Sequence, residues 1–133
     1  MKGRKDRVVV WHLVTPEFAP RGGGVGDYTR LVADGLAEAG DEVHVWCPPV
    51  GELSAPTLAA IHHELGAIRP SDLRRVGRRL DAFSKPRHLL VQWVPHGYGC
   101  RSMNLPFCAW LWWRARVRGD RVDIMVHEPY LAF

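Results

Sequence analysis

Apolar residues in this chain follow two alternating rhythms. Residues 8–14, Val-Val-Val-Trp-His-Leu-Val, are β-branched and almost continuously apolar. That is the pattern of a strand buried on both faces of a parallel sheet. From Tyr28 the rhythm changes. Apolar or small residues at 28, 31, 32, 35, 36 and 39 mark one helical stripe, with Arg30, Asp34 and Glu38 off it and Gly40 as its stop. Residues 42–47 alternate and end at Pro48-Pro49, which predicts a second strand. Residues 55–66 read as a short helix and residues 71–83 as a clearer one. In the latter, Leu73, Val76, Leu80 and Phe83 share one face, and Arg74, Arg75, Arg78 and Arg79 the other. Residues 88–94 predict a third strand. Residues 105–118 predict a helix with Pro106 near its start, and residues 121–126 a fourth strand.

Strands alternating with helices predict an α/β fold: a Rossmann-like parallel sheet flanked by helices. Ligands of such sheets bind beyond the carboxyl ends of the strands. Three glycine-rich or polar loops fall at such ends, residues 15–27, 95–104 and 127–130. The sequence ends shortly after the fourth strand, where a parallel sheet ordinarily continues. Residues 1–133 therefore read as a partial domain.

The loop that opens the first long helix is the main candidate for chemistry. It runs Arg21-Gly22-Gly23-Gly24-Val25-Gly26-Asp27-Tyr28. Glycines let a backbone approach an anion closely, and the free N–H groups of a helix's first turn point at it. Asp27 stands where an N-cap or first-turn carboxylate stabilises a helix. The spacing is not Gly-x-Gly-x-x-Gly, because the third glycine position holds Asp27 or Thr29. No Gly-Lys-Ser/Thr follows either, which removes the P-loop reading.

The loop resembles the glycine loop of retaining glycosyltransferases of the GT-B fold. Glycogen and starch synthases carry Lys-x-Gly-Gly-Leu-Gly-Asp-Val there. The preceding Glu17-Phe18-Ala19-Pro20 is similar to the Glu-x-Ala-Pro that leads into that loop. Residues 36–45 are similar to a stretch of the family-4-like glycosyltransferases, with Asp41 where that family usually has His. The match spans residues 7–47, and more loosely continues to residue 130.

The resemblance implies the N-terminal, acceptor-side domain of a GT-B enzyme. The reaction would move a sugar from a nucleotide-diphosphate donor to a carbohydrate or lipid-linked hydroxyl acceptor, with retention and without a metal or cofactor. Arg21, Gly23, Gly24, Val25, Gly26 and Asp27 would lie against the donor diphosphate. His127, at a strand end, would help position the transferred sugar and stabilise the transition state. Glu128, next to it, is an acceptor-side candidate, a conformational or solvent role being the alternative. A second Rossmann-like, donor-binding domain would form the opposite wall of the cleft, so this stretch alone is expected to be inactive. His96 and Tyr98, in another strand-end loop, are also acceptor-side candidates, a plain turn being the alternative. A stand-alone phosphate-binding module, or another GT-B-like enzyme such as an epimerase or phosphorylase, is the rival reading.

Composition narrows these readings. Hydrophobic residues make up 47% and charged ones 24%, which suits a globular chain. The net charge of +4 is dispersed and comes mainly from arginine, which fits a small anion or an acidic lipid surface better than nucleic acid. Cys47, Cys100 and Cys108 form no paired or metal spacing and read as buried thiols of a reducing, cytoplasmic compartment. The basic start precedes no cleavage site for a signal peptide. Trp110, Trp112 and Trp113, with Phe107 and Leu111, make the last helix apolar nearly all round. It reads as packed on the sheet, with Arg114, Arg116 and Arg118 complementing its dipole. A peripheral contact with the membrane inner face is the alternative. His62 and His63 read as surface residues of a helix, and the Arg74–Arg79 cluster as a solvated face.

Overall fold

The computed structural model describes residues 7–16, 24–49, 57–93 and 105–127, with Gly24 and Val25 described by their backbone alone. Five strands and three helices follow one another as β1 (Val10–Val14), α1 (Gly24–Glu38), β2 (Glu42–Trp46), β3 (Ala60–His62), α2 (Pro70–Asp81), β4 (His88–Trp93), α3 (Leu105–Arg116) and β5 (Arg121–Val126). The strands form one sheet in the order β3-β2-β1-β4-β5, and every pairing is parallel. This is the α/β, Rossmann-like arrangement expected from the alternating pattern.

Side chains alternate across the sheet and divide the core in two. On one face Leu13, Val43, Val45 and Cys47 pack with Ala33, Val32, Leu36 and Ala37 of α1. On the other, Val14, Trp46, Leu89 and Val91 pack under Leu73, Val76 and Leu80 of α2 and Phe107 and Leu111 of α3. α1 ends as its glycine predicts. Gly40 takes φ +100°, its N–H donates to the Ala37 carbonyl, and the Asp41 N–H donates to Leu36. That pair of bonds is a Schellman cap. Asp41, which replaces the histidine of the resembling family, is buried. Its carboxylate accepts from the Val9 N–H and Trp11 Nε1, both at 3.2 Å, and ties the start of β2 to β1.

Charge is buried at the opposite end of the sheet from the strand carboxyl ends. Asp120, just before β5, accepts from Arg87 Nε and from Arg114 Nε, each at 2.6 Å. All three side chains are almost wholly buried. Arg114 also donates to Asp81 at 2.8 Å and to the Gly77 carbonyl at 3.2 Å. Arg114 is therefore a buried tie between α2, α3 and β5, not a solvent-facing charge at the end of the helix dipole.

Three further expectations are corrected. Residues 57–66, the described part of the predicted 55–66 helix, do not make a helix. Residues 60–62 form β3, paired with His44, Val45 and Trp46. The alanines, leucines and glutamate favour a helix locally, but the open edge of β2 outweighs that preference. The buried face of α1 is also rotated from the predicted stripe. Gly26, Thr29 and Ala33 are buried, whereas Tyr28 and Leu31 are 43% and 67% exposed. Small side chains let the helix approach the sheet closely, and a threonine counted as polar lies in that seam. Lastly, Cys47 is buried but Cys108 is exposed.

Candidate functional site

The strand order places a switch point between β1 and β4. The chain leaves β1 for α1 on one face, and leaves β4 for α3 on the other. A crevice opens at such a point beyond the carboxyl ends of the two strands. α1 begins there with Gly24. Gly24, Val25, Gly26 and Asp27 form its first turn, and Asp27 is the acidic residue of that turn. In a helix of 15 residues these first N–H groups carry the positive end of the dipole. Arg21 and Gly23 lie outside the described residues, as do His96, Tyr98 and Glu128.

His127 reaches the same place from the end of β5. Its backbone N–H donates to the Trp93 carbonyl at 3.1 Å, one step beyond the β4–β5 pairing. Its ring stands edge-on to Tyr28, with centroids 5.3 Å apart. The first helix and the last strand therefore meet through side chains at the carboxyl ends of the strands. His127 Nε2 lies 2.6 Å from the Gln92 side-chain carbonyl. A carbonyl only accepts, so the imidazole donates from Nε2.

Neither Gln92 nor Tyr28 is among the site residues that the sequence predicts. Gln92 did leave a signal, as the one amide inside an otherwise apolar strand, and it is completely buried. The helical period puts Tyr28 on the buried stripe, yet it is the exposed partner of His127.

A second polar group lies under α2. His12, His44 and His62 form a row across β1, β2 and β3, with neighbouring rings stacked at 5.3 and 5.1 Å. Trp46 Nε1 donates to His12 Nδ1 at 3.1 Å. His44 bridges Glu42 at 2.7 Å and His62 at 2.9 Å. His62 also stacks on Trp46 at 4.2 Å. It is thus a half-buried strand residue rather than a surface helix residue. Burial and the neighbouring His44 lower its pKa. Burial, then His44 and His62, then Arg87 and Arg114, push His12 down to about 3. Among the described residues, no three His, Cys, Asp or Glu side chains come together as a metal-holding group.

Two arginines of the α2 cluster have described partners. Arg75 pairs with Asp72 at 2.7 Å, and Arg79 pairs with Glu64 and sits over the Trp46 ring. On α3, Phe107 and Leu111 are buried, whereas Trp112 and Trp113 are exposed. The helix is thus packed on the sheet by one face only. Among the described residues, no helix is long and apolar enough to cross a membrane.

The five-stranded parallel sheet with helices on both faces defines the chain as a Rossmann-like α/β protein. Comparison with protein-family models, curated proteins and solved structures found no match.

Proposed function

We propose that the crevice at the carboxyl end of this sheet binds the diphosphate of a nucleotide sugar. In this reading the chain is the acceptor-side wall of a retaining glycosyltransferase of the GT-B type. One observation carries the proposal: the Tyr28–His127 ring contact joins α1, one residue past its first turn, to the end of β5. These are the two stretches for which the sequence resemblance implies donor contacts. The α1 N-terminus would favour a diphosphate by roughly 0.3–2 kcal/mol. Arg21 would add a charge-assisted bond from the glycine loop. His127, oriented by Gln92, would sit beside the transferred sugar. A second domain would hold the nucleotide, since positioning from both walls supplies much of the rate.

The reading is tested by titrating nucleotide diphosphates and their sugars into the chain by calorimetry. Weak, saturable binding that falls in an Arg21→Gln variant is the expected result. Absence of binding by every nucleotide diphosphate would sink the proposal. Affinity near the micromolar level in this chain alone would favour a binding module over one wall of an enzyme. With a donor-binding domain attached, His127→Ala should cut sugar transfer while leaving diphosphate affinity nearly unchanged.

A further inference from the structure

A groove of about 300 Å³ lies between α2 and α3, lined by Pro70, Arg74 and Arg78 on one side and Trp110, Trp113 and Arg114 on the other. It shares no residue with the Tyr28–Gln92–His127 crevice. Its size is at the lower end of small-molecule sites. We propose that it binds a small organic anion in which a phosphate is joined to a flat ring.

The charge pattern is the first argument. α2 carries four arginines between Arg74 and Arg79. Arg75 and Arg79 are paired with Asp72 and Glu64. The other two, Arg74 and Arg78, line the groove and have no ion-pair partner among the described residues. Asp81 also lines the groove, but it is engaged by Arg114 at 2.8 Å and by Arg118 at 3.1 Å. Two positive charges one helical turn apart therefore face the groove without a carboxylate to balance them, which suits a dianion.

The second argument lies in Arg114. This side chain is 2% exposed, and its Nε and Nη1 donate to Asp120, Asp81 and Gly77. Its Nη2 is shielded from solvent and has no acceptor among the described residues. A guanidinium fixed on three sides, with one donor group unanswered, thus adjoins the groove and biases it electrostatically towards an anion.

Shape supplies the third argument. Trp110 and Trp113 stand one turn apart on α3 and supply aromatic surface to the same groove. A ring carried by the anion could stack there, with the phosphate held towards α2.

Phenyl phosphate is the probe, followed by tryptophan fluorescence and calorimetry. Saturable one-to-one binding is expected, with inorganic phosphate weaker by about tenfold or more because it has no ring to stack. Arg74→Gln combined with Arg78→Gln should weaken phenyl phosphate by at least about tenfold. Trp113→Ala should weaken phenyl phosphate and leave inorganic phosphate unchanged. Arg21→Gln should leave both unchanged, which separates this groove from the crevice. All the groove residues varied are exposed, and equal urea midpoints verify that the variants stay folded. Lack of saturable binding, equal affinity for inorganic phosphate, or full affinity in the folded double-arginine variant would each overturn the proposal.

Discussion

Lowering the pH from 7 to 5 should remove about 2 kcal/mol of folding stability through His12 alone. The ring is completely buried beneath Phe83, whose ring meets it edge-on at 4.7 Å. His44 stacks beside it, and the charges of Arg87 and Arg114 act on it from the far end of the same face. Its Nδ1 accepts the Trp46 indole N–H, so the ring cannot take a second proton there without breaking that bond. These features lower its pKa from 6.5 to about 3. Between those two values the unfolded chain binds a proton that the folded chain does not. Stability is therefore complete above pH 6.5 and falls as the pH drops towards 3. At pH 5 the folded ring is still neutral, so the unfolded-state value alone sets the loss, roughly 1.4 kcal/mol for each pH unit below 6.5. His62, lowered for similar reasons, adds a loss of the same sign. Urea unfolding followed by tryptophan fluorescence measures the effect as a midpoint shift of roughly 1 M. His12→Asn supplies the control, because its amide oxygen can still accept from Trp46 while the ring's titration is gone. The difference in stability between pH 7 and pH 5 should shrink by about 2 kcal/mol in that variant. An undiminished difference would refute the assignment of acid sensitivity to His12.

Other outcomes follow from single contacts. Asp120→Ala leaves two buried guanidiniums without their shared carboxylate, and should cost about 3–5 kcal/mol by urea unfolding. Gly77→Ala should stabilise by about 0.5–1 kcal/mol, because α2 is helical there. The added Cβ would lie in ordinary contact with Trp110 Nε1 at 3.5 Å and Arg114 Nη1 at 3.6 Å. Asp72→Ala removes the carboxylate that accepts from the Arg69 and Ala67 N–H groups at the start of α2, and should cost about 1 kcal/mol. Burial raises the Cys47 thiol to about 12. Mass spectrometry of iodoacetamide-treated folded chain at pH 8 should therefore find Cys108 labelled and Cys47 protected.

The long periodic segments were legible because one physical demand dominates each. α2 shows its face through Leu73, Val76 and Leu80, all buried as the 3.6-residue period requires. β1 and β4 show themselves as apolar runs covered on both sides. Legibility failed where a partner distant in sequence decides. β3 has only three residues, and its conformation depends on hydrogen bonds to β2. The inner face of α1 is made of Gly26, Thr29 and Ala33, which carry little hydrophobic signal. At the crevice, His127 was readable as a polar residue ending a strand. Its link to Gln92 depends on the β4–β5 register, in which Trp93 stands opposite Val126. Arg114 looked like a dipole complement because sequence spacing does not reveal that Asp120 and Asp81 turn inward to meet it.

These contacts divide the labour between the two ends of the sheet. At the amino ends of β4 and β5, Arg87 and Arg114 share the Asp120 carboxylate through bonds of 2.6 Å, and no described bond of that group reaches Tyr28 or His127. At the carboxyl ends, Tyr28 is 43% exposed and His127 is half-buried. The only described hydrogen bonds of His127 go to Gln92 and the Trp93 carbonyl. A side chain oriented from one side and open on another is suited to meeting a ligand; one enclosed on every side is suited to fixing helices on a sheet. The buried arginine cluster can therefore hold α3 and β5 in register, and that register in turn sets where His127 stands relative to α1. Stability at one end of the sheet is the condition for geometry at the other, although no atom of the charge network touches the crevice.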